Sequence, residues 1–228
     1  NVYKLSGGYK SYRNYILNYF EKDFNKKLRV LYGLTGCGKT ELLKLLKEKK
    51  MPVIDLEGLA NNRGSVFGHI GLGAQPSQKK FDSDLFNTII SIENEYIIVE
   101  GESKKIGRLY IPNGFYDKMI NGESYLIESN INNRTKRIIK DYGGFLDENK
   151  DEIVRSINVL KDFLGKKVAA ELVDSFNNKE AENVVSYLLI NYYDILYNKN
   201  RKNNNRYKHT YDTNDMNACV NSIMKDFV

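Results

Sequence analysis

Cysteine and histidine are scarce in this chain, and long apolar runs are missing. Each shortage removes a class of protein. Two cysteines in 228 residues cannot make a disulfide framework, so a reducing compartment is expected. The two histidines, His69 and His209, are far apart and have no Cys or His companions at ligand spacing. No zinc site is expected. No stretch approaches the roughly 20 apolar residues of a membrane-spanning helix, and no signal peptide is read. A cytoplasmic location with no membrane association is expected. The chain opens on Asn1 rather than Met, which reads as a piece cut or processed from something longer. Charge is in surplus: the net value is +6 and the pI about 9.0. That balance suits a polyanionic partner such as nucleic acid. It also suits a chain whose composition is simply rich in Lys, Asn, Ile and Tyr.

Against these absences stands one dense motif, Gly33-Leu34-Thr35-Gly36-Cys37-Gly38-Lys39-Thr40. It fits the phosphate-binding P-loop pattern. Val30-Leu31-Tyr32 before it reads as a buried strand. Leu42, Leu43, Leu45 and Leu46 after it keep helical spacing. In that setting Gly33, Thr35, Gly36, Cys37 and Gly38 would turn backbone N–H groups around a phosphate at a helix N-terminus. Lys39 would reach the phosphate oxygens and Thr40 would hold Mg²⁺. Cys37 reads as a small-residue position rather than a nucleophile.

Aromatic residues at helical spacing between Tyr9 and Phe20 predict an N-terminal helix packed on the domain. Pro52 to Glu57 is a second strand ending in Asp55 and Glu57, where open α/β sheets deliver ligand-binding groups. A long glycine-bearing loop follows, with Arg63 and Ser65. Phe81 to Ile92 reads as a core helix. Tyr96 to Glu100 is a third strand with Glu102 just beyond it, and Glu100 is placed where P-loop proteins carry a second acid for Mg²⁺. Lys104, Lys105 and Arg108 follow. Ser124 to Glu128 is a fourth strand. Arg134, Arg137 and Lys140 come after it, as a solvated face or as cations near the phosphate. From Asp147 the pattern is helical with no strand evident. Lys199, Arg201, Lys202, Arg206 and Lys208, interleaved with asparagines, suit a nucleic-acid backbone or a polar loop. The expected fold is α/β: a P-loop NTPase-like, mostly parallel sheet flanked by helices, followed by an all-helical C-terminal region. Residues 1–146 are expected to form the P-loop domain, with an N-terminal helix over 1–26, and 147–228 a helical C-terminal region suited to binding nucleic acid.

These blocks together resemble the tRNA 2-selenouridine synthase family, specifically its P-loop half. The resemblance rests on Gly7-Gly8-Tyr9-Lys10 with Tyr12-Arg13, the P-loop, and Asp55-Leu56-Glu57-Gly58-Leu59-Ala60-Asn61 with Arg63-Gly64-Ser65 and Phe67-Gly68. It continues through Gln75-Pro76-Ser77-Gln78, Glu100-Gly101-Glu102-Ser103, Ile111-Pro112, Leu164-Gly165 and Tyr192-Tyr193-Asp194. It covers nearly the whole chain. Asn62 stands where the family usually has His, which puts any role of that histidine in doubt, and Ile195 stands where a proline is common. The family's N-terminal rhodanese-like domain, with its reactive cysteine, would precede Gly7. A truncation or a separate rhodanese-like subunit is therefore expected.

The resemblance implies a transferase acting on wobble 2-thiouridine of tRNA. Sulfur is alkylated by geranyl diphosphate, and selenophosphate then replaces the geranylthio group with selenium. Lys39 and Arg63 would bind the diphosphate. Thr40, Asp55 and Glu100 would hold Mg²⁺. Phe67, Leu72, Phe81 and Phe115 would line an apolar trough. Tyr192, Tyr193 and Tyr197 would stack bases while Arg201, Lys202, Arg206 and Lys208 hold phosphates. Two other readings share the P-loop: a small-molecule or nucleoside kinase or ATPase using ATP, and a non-catalytic tRNA-docking subunit.

Overall fold

The computed structural model describes residues 5–200 and 207–227. At its centre is a five-stranded sheet in the order β2-β3-β1-β6-β7, formed by β1 (Lys27–Tyr32), β2 (Val53–Ile54), β3 (Tyr96–Glu100), β6 (Glu123–Glu128) and β7 (Thr210–Asp212). Every pairing in it is parallel, with Leu28 opposite Ile97 and Tyr32 opposite Leu126. Ile97, Ile98 and Val99 of β3 are all fully buried, because a central parallel strand is covered on both faces. A short antiparallel hairpin of β4 (Lys105–Ile106) and β5 (Leu109–Tyr110) stands apart.

One face of the sheet is covered by α1 (Gly8–Asn18), α4 (Gln78–Ser91) and α5 (Asn113–Ile120), which share a core with Leu28, Val30 and Val99. The other carries α2 (Lys39–Glu48) and α12 (Met216–Phe227), packed on Leu31, Ile98 and Ile127. The N-terminal aromatic segment packs on the domain through Tyr12 and Ile16 of α1 and through Tyr19 and Phe20 just after it. The helix is shorter than 1–26: α1 ends at Asn18 and a π-helical turn, Tyr19–Asp23, leads into the strand. Among the described residues no helix is long and apolar enough to cross a membrane.

The C-terminal part is helical as far as Asn200: α7 (Lys150–Val159), α8 (Lys161–Leu164), α9 (Lys166–Asn177), α10 (Ala181–Leu188), a π-helical turn Leu189–Tyr193, and α11 (Asp194–Asn200). Its core of Ile153, Ile157, Leu172, Val184 and Leu188 also takes in Ile70 from the long loop. One expectation is corrected here. The chain does not stay helical to its end. It returns to the sheet as β7, beside β6, and α12 closes the P-loop face. Three residues are too few to show a strand period, and pairing with β6 supplies the backbone partners that make them one.

Candidate active site

The P-loop spans the gap between β1 and α2, with Gly36 and Gly38 at φ 78° and 89°, a backbone region that favours glycine. Gly33 is required by crowding: a Cβ there would lie 2.4 Å from the Ile127 carbonyl oxygen and 2.6 Å from Cys37 Sγ. Cys37 itself is buried, and its carbonyl accepts from Thr213 Oγ1 at 2.6 Å. It is the small packing residue that was expected. Lys39 Nζ donates to the Gly33 carbonyl at 2.8 Å. Burial pulls the Lys39 ammonium down, but Cys37, Glu102, Glu57 and Tyr197 outweigh it and hold the pKa above the ordinary lysine value.

The carboxylates around Lys39 are arranged differently from the sequence reading. Asp55, expected at the metal, lies at the start of α3 (Leu56–Ala60), where its side chain accepts from the Gly58 N–H at 2.7 Å. This is an N-cap. Glu57, two residues on, receives the Thr40 hydroxyl at 3.2 Å. Glu100 is buried at the end of β3. One of its oxygens accepts from the Glu57 N–H at 2.8 Å, and the other, Oε2, has no hydrogen-bond partner. Burial raises the carboxyl of Glu100 well above its ordinary value, and the charges of Asp55 and Glu102 add to the rise. Burial also raises Glu57, against the pull of Lys39. Glu102 is pushed up to about 8 by burial, with Glu57 adding repulsion and Lys39 opposing.

Among the described residues no three His, Cys, Asp or Glu side chains form a metal site by themselves. Mg²⁺ at phosphate sites takes only one or two carboxylates and leaves the rest to water and substrate phosphates. The Thr40 hydroxyl, Glu57 and the orphaned Glu100 oxygen fit that donor set. The raised carboxyls also give a pH signature. A carboxyl that binds its proton more tightly when folded stabilises at low pH, and that contribution is lost as pH rises. Without Mg²⁺, wild type should lose stability relative to Glu102→Gln as pH climbs from about 4.5 to about 8. Urea unfolding of both proteins across that range measures the difference.

The loop after α3 is organised by its own residues. Asn62 Oδ1 accepts from the Gly64 N–H at 2.9 Å, so the residue standing in place of the family histidine shapes the turn. Arg63 donates to the Ile70 carbonyl at 3.0 Å, lies 4.6 Å from the Tyr142 ring centroid, and lines the cleft beside Glu57. Ser65 lines the cleft with Tyr142 and Tyr193, and the Tyr142 hydroxyl donates to the Phe67 carbonyl at 3.3 Å. Gln75 donates to the Ala60 and Ile106 carbonyls and Gln78 pairs with the backbone of Tyr110, so the two tie the β4–β5 hairpin to α3 and α4. Arg108 serves the same hairpin, donating to the Gln75 carbonyl; it is not among the cleft-lining residues.

Arg134 is neither a solvated residue nor a phosphate ligand. It sits on α6 (Ile131–Tyr142) at 4% exposure. Its Nε donates to the Thr35 carbonyl at 2.9 Å, and its two terminal nitrogens grip Asp194 at 2.9 and 2.6 Å. One guanidinium thus joins the P-loop to the helical region. Arg137 lines the cleft but is tied to Ser129, Thr213 and Glu41.

A single cleft of about 1230 Å³ begins at the P-loop, with Gly33, Thr35, Gly36, Gly38, Lys39, Thr40, Asp55, Glu57 and Glu102 in its wall. It continues between the loop residues Phe67 and Leu72 and the helical region, against Ile157, Phe176, Val185 and Leu188. Phe81 and Phe115, expected in an apolar trough, are instead fully buried in the sheet's core. The helical region supplies the apolar surface, a source that the sequence reading missed. Tyr192 and Tyr193 pack on the helical core and, with Tyr197, form part of the cleft wall. Lys208 pairs with Glu123. Arg201, Lys202 and Arg206 lie outside the described residues.

Comparison with known proteins identifies the family. The family model described as tRNA 2-selenouridine synthase AAA domain matches residues 26–226. A tRNA 2-selenouridine synthase of Shewanella denitrificans is 33% identical over 223 residues, which is 85% of this chain and 59% of the relative. One of Nitrosomonas eutropha is 36% identical over 143 residues, 60% of this chain and 36% of the relative. The chain therefore spans well under two thirds of the length of these relatives. Among solved structures, TT1252 from Thermus thermophilus aligns over 90% of this chain at 13% identity with a TM-score of 0.41, a likeness too remote to carry argument. On the family match, the chain belongs to the tRNA 2-selenouridine synthase family and carries its AAA domain.

Proposed function

We propose that this chain is the group-transfer part of a tRNA-modifying enzyme that S-geranylates wobble 2-thiouridine. With a rhodanese-like domain or subunit, the same enzyme replaces that sulfur with selenium from selenophosphate. The observation that carries the reading is the shape of the cleft: a phosphate seat that runs without a break into an apolar pocket. A small-molecule kinase site needs the first part, whereas a prenyl diphosphate needs both.

In the proposed step the thiocarbonyl sulfur attacks C1 of geranyl diphosphate. The C1–O bond breaks, its electron pair leaves with the diphosphate, and the proton on N3 of the base is released. The P-loop N–H groups and Lys39 stabilise charge as it grows on the leaving oxygen, and Arg63, beside Glu57 in the wall, is a further cation for it. The hydroxyl of Thr40 and the carboxylates of Glu57 and Glu100 would hold Mg²⁺, whose chemistry there is charge neutralisation of the diphosphate. The helical wall shields the prenyl chain from water.

The test is mass spectrometry of a 2-thiouridine tRNA incubated with the chain, Mg²⁺ and geranyl diphosphate. A geranyl mass increase is expected. ATP turnover without geranylation would favour a kinase or ATPase, and tRNA binding with neither activity would leave a docking subunit. A narrower check uses Val185, which is half-buried and faces the cleft. Val185→Phe should raise the KM for geranyl diphosphate by roughly tenfold, in line with the cost of misfitting a methylene or two in an apolar pocket. The KM for dimethylallyl diphosphate, with a shorter chain, should change little.

A further inference from the structure

The cleft has an aromatic part that the diphosphate and prenyl chain leave over. Tyr32 at the end of β1, Tyr116 on α5 and Tyr207 just before β7 all line it, and each is half-exposed. The rings of Tyr32 and Tyr207 lie 6.2 Å apart, centroid to centroid. The end of β3 is shaped around this group: a Cβ on Gly101 would come within 2.3 Å of the Tyr32 ring, so only glycine leaves that ring its place. Lys104 stands with its ammonium 5.8 Å from the Tyr116 ring centroid. Tyr32 immediately precedes Gly33, so this wall adjoins the phosphate seat. Half-exposed rings beside a cation are the surface that an unstacked base and its backbone use.

We propose that Tyr32, Tyr116 and Tyr207 form the seat of the pyrimidine nucleobase that receives the transferred group, with Lys104 placed for the adjoining backbone phosphate. The inference rests on the proposed transfer and deepens it. The base stacks against the end of β1 and α5, the prenyl chain lies among α7, α9 and α10, and the reacting sulfur and C1 meet at the P-loop between them.

Two readouts test it with the full chain. In the first, an anticodon stem-loop carrying 4-thiouridine at the wobble position is irradiated with long-wave ultraviolet light, and the crosslinked peptides are mapped. Attachment to the peptides bearing Tyr32, Tyr116 or Tyr207 is expected. Attachment to the segment 189–197, or none anywhere, overturns the proposal. In the second, Tyr116→Leu keeps the apolar bulk but loses the aromatic face. It should weaken binding of a 2-thiouridine stem-loop by roughly tenfold and leave the KM for geranyl diphosphate in place, while Tyr116→Phe recovers most of the loss. Unchanged stem-loop affinity in Tyr116→Leu also overturns it. Filter binding reads this second effect even if the chain transfers no geranyl group, so failure of the transfer reading and failure of the base seat give different results.

Discussion

Lys39→Ala should reduce geranyl transfer by roughly 10²–10³-fold, the cost typical of removing one preorganised group that stabilises developing negative charge. Lys39 is the cation central to the phosphate seat. It is within hydrogen-bond reach of the Gly33 carbonyl and shares its surroundings with Glu57 and Glu102. Those carboxylates already resist ionisation. Without the ammonium they bind their protons more tightly still, and the seat loses both the cation for the diphosphate and the charge balance for Mg²⁺. Mass spectrometry of the tRNA, with Lys39→Ala beside wild type, measures the loss. tRNA binding should survive, because Lys39 is not part of the proposed base seat. A variant that transfers geranyl at the wild-type rate would remove the P-loop from the chemistry.

The second large effect is on stability. Asp194→Ala should cost about 3–5 kcal/mol, because it strands a buried guanidinium. Arg134 is 4% exposed, and Asp194 satisfies both of its terminal nitrogens. The remaining bond, to the Thr35 carbonyl, cannot neutralise the charge. For a chain of this size the melting temperature should fall by on the order of 10 °C. Arg134→Met combined with Asp194→Ala should recover much of that stability, since no charge is then left buried. The double variant should nonetheless transfer geranyl more slowly, because the strut between P-loop and helical region is gone. Thermal unfolding and the transfer assay on the same three proteins separate these outcomes. Equal stability of Asp194→Ala and wild type would show that the pair holds nothing together.

The P-loop, its preceding strand and following helix were legible because their signal is local: glycines at fixed spacing between an apolar run and a helical period. The carboxylates were legible only as a set. Asp55 stood at a strand end and drew the metal role, yet the spacing from Asp55 to Gly58 is itself a cap pattern that places Asp55 on the backbone of α3. Glu57, two residues on, then inherits the Thr40 hydroxyl. Phe81 and Phe115 were offered as suppliers of an apolar trough, although the spacing of Phe81 to Ile92 also marks a core helix. Burial on α4 and α5 decided otherwise.

The sequence by itself determined the class of fold, the position of the P-loop, the helical character of 150–200 and the family, since all of these are written in short-range pattern and residue identity. Only the tertiary structure decided which elements meet. It brought Arg134 and Asp194 together across sixty residues, returned β7 to the sheet, and set the helical wall against the P-loop to make one cleft. Contacts between distant segments depend on how whole faces pack, and no local window of residues carries that information.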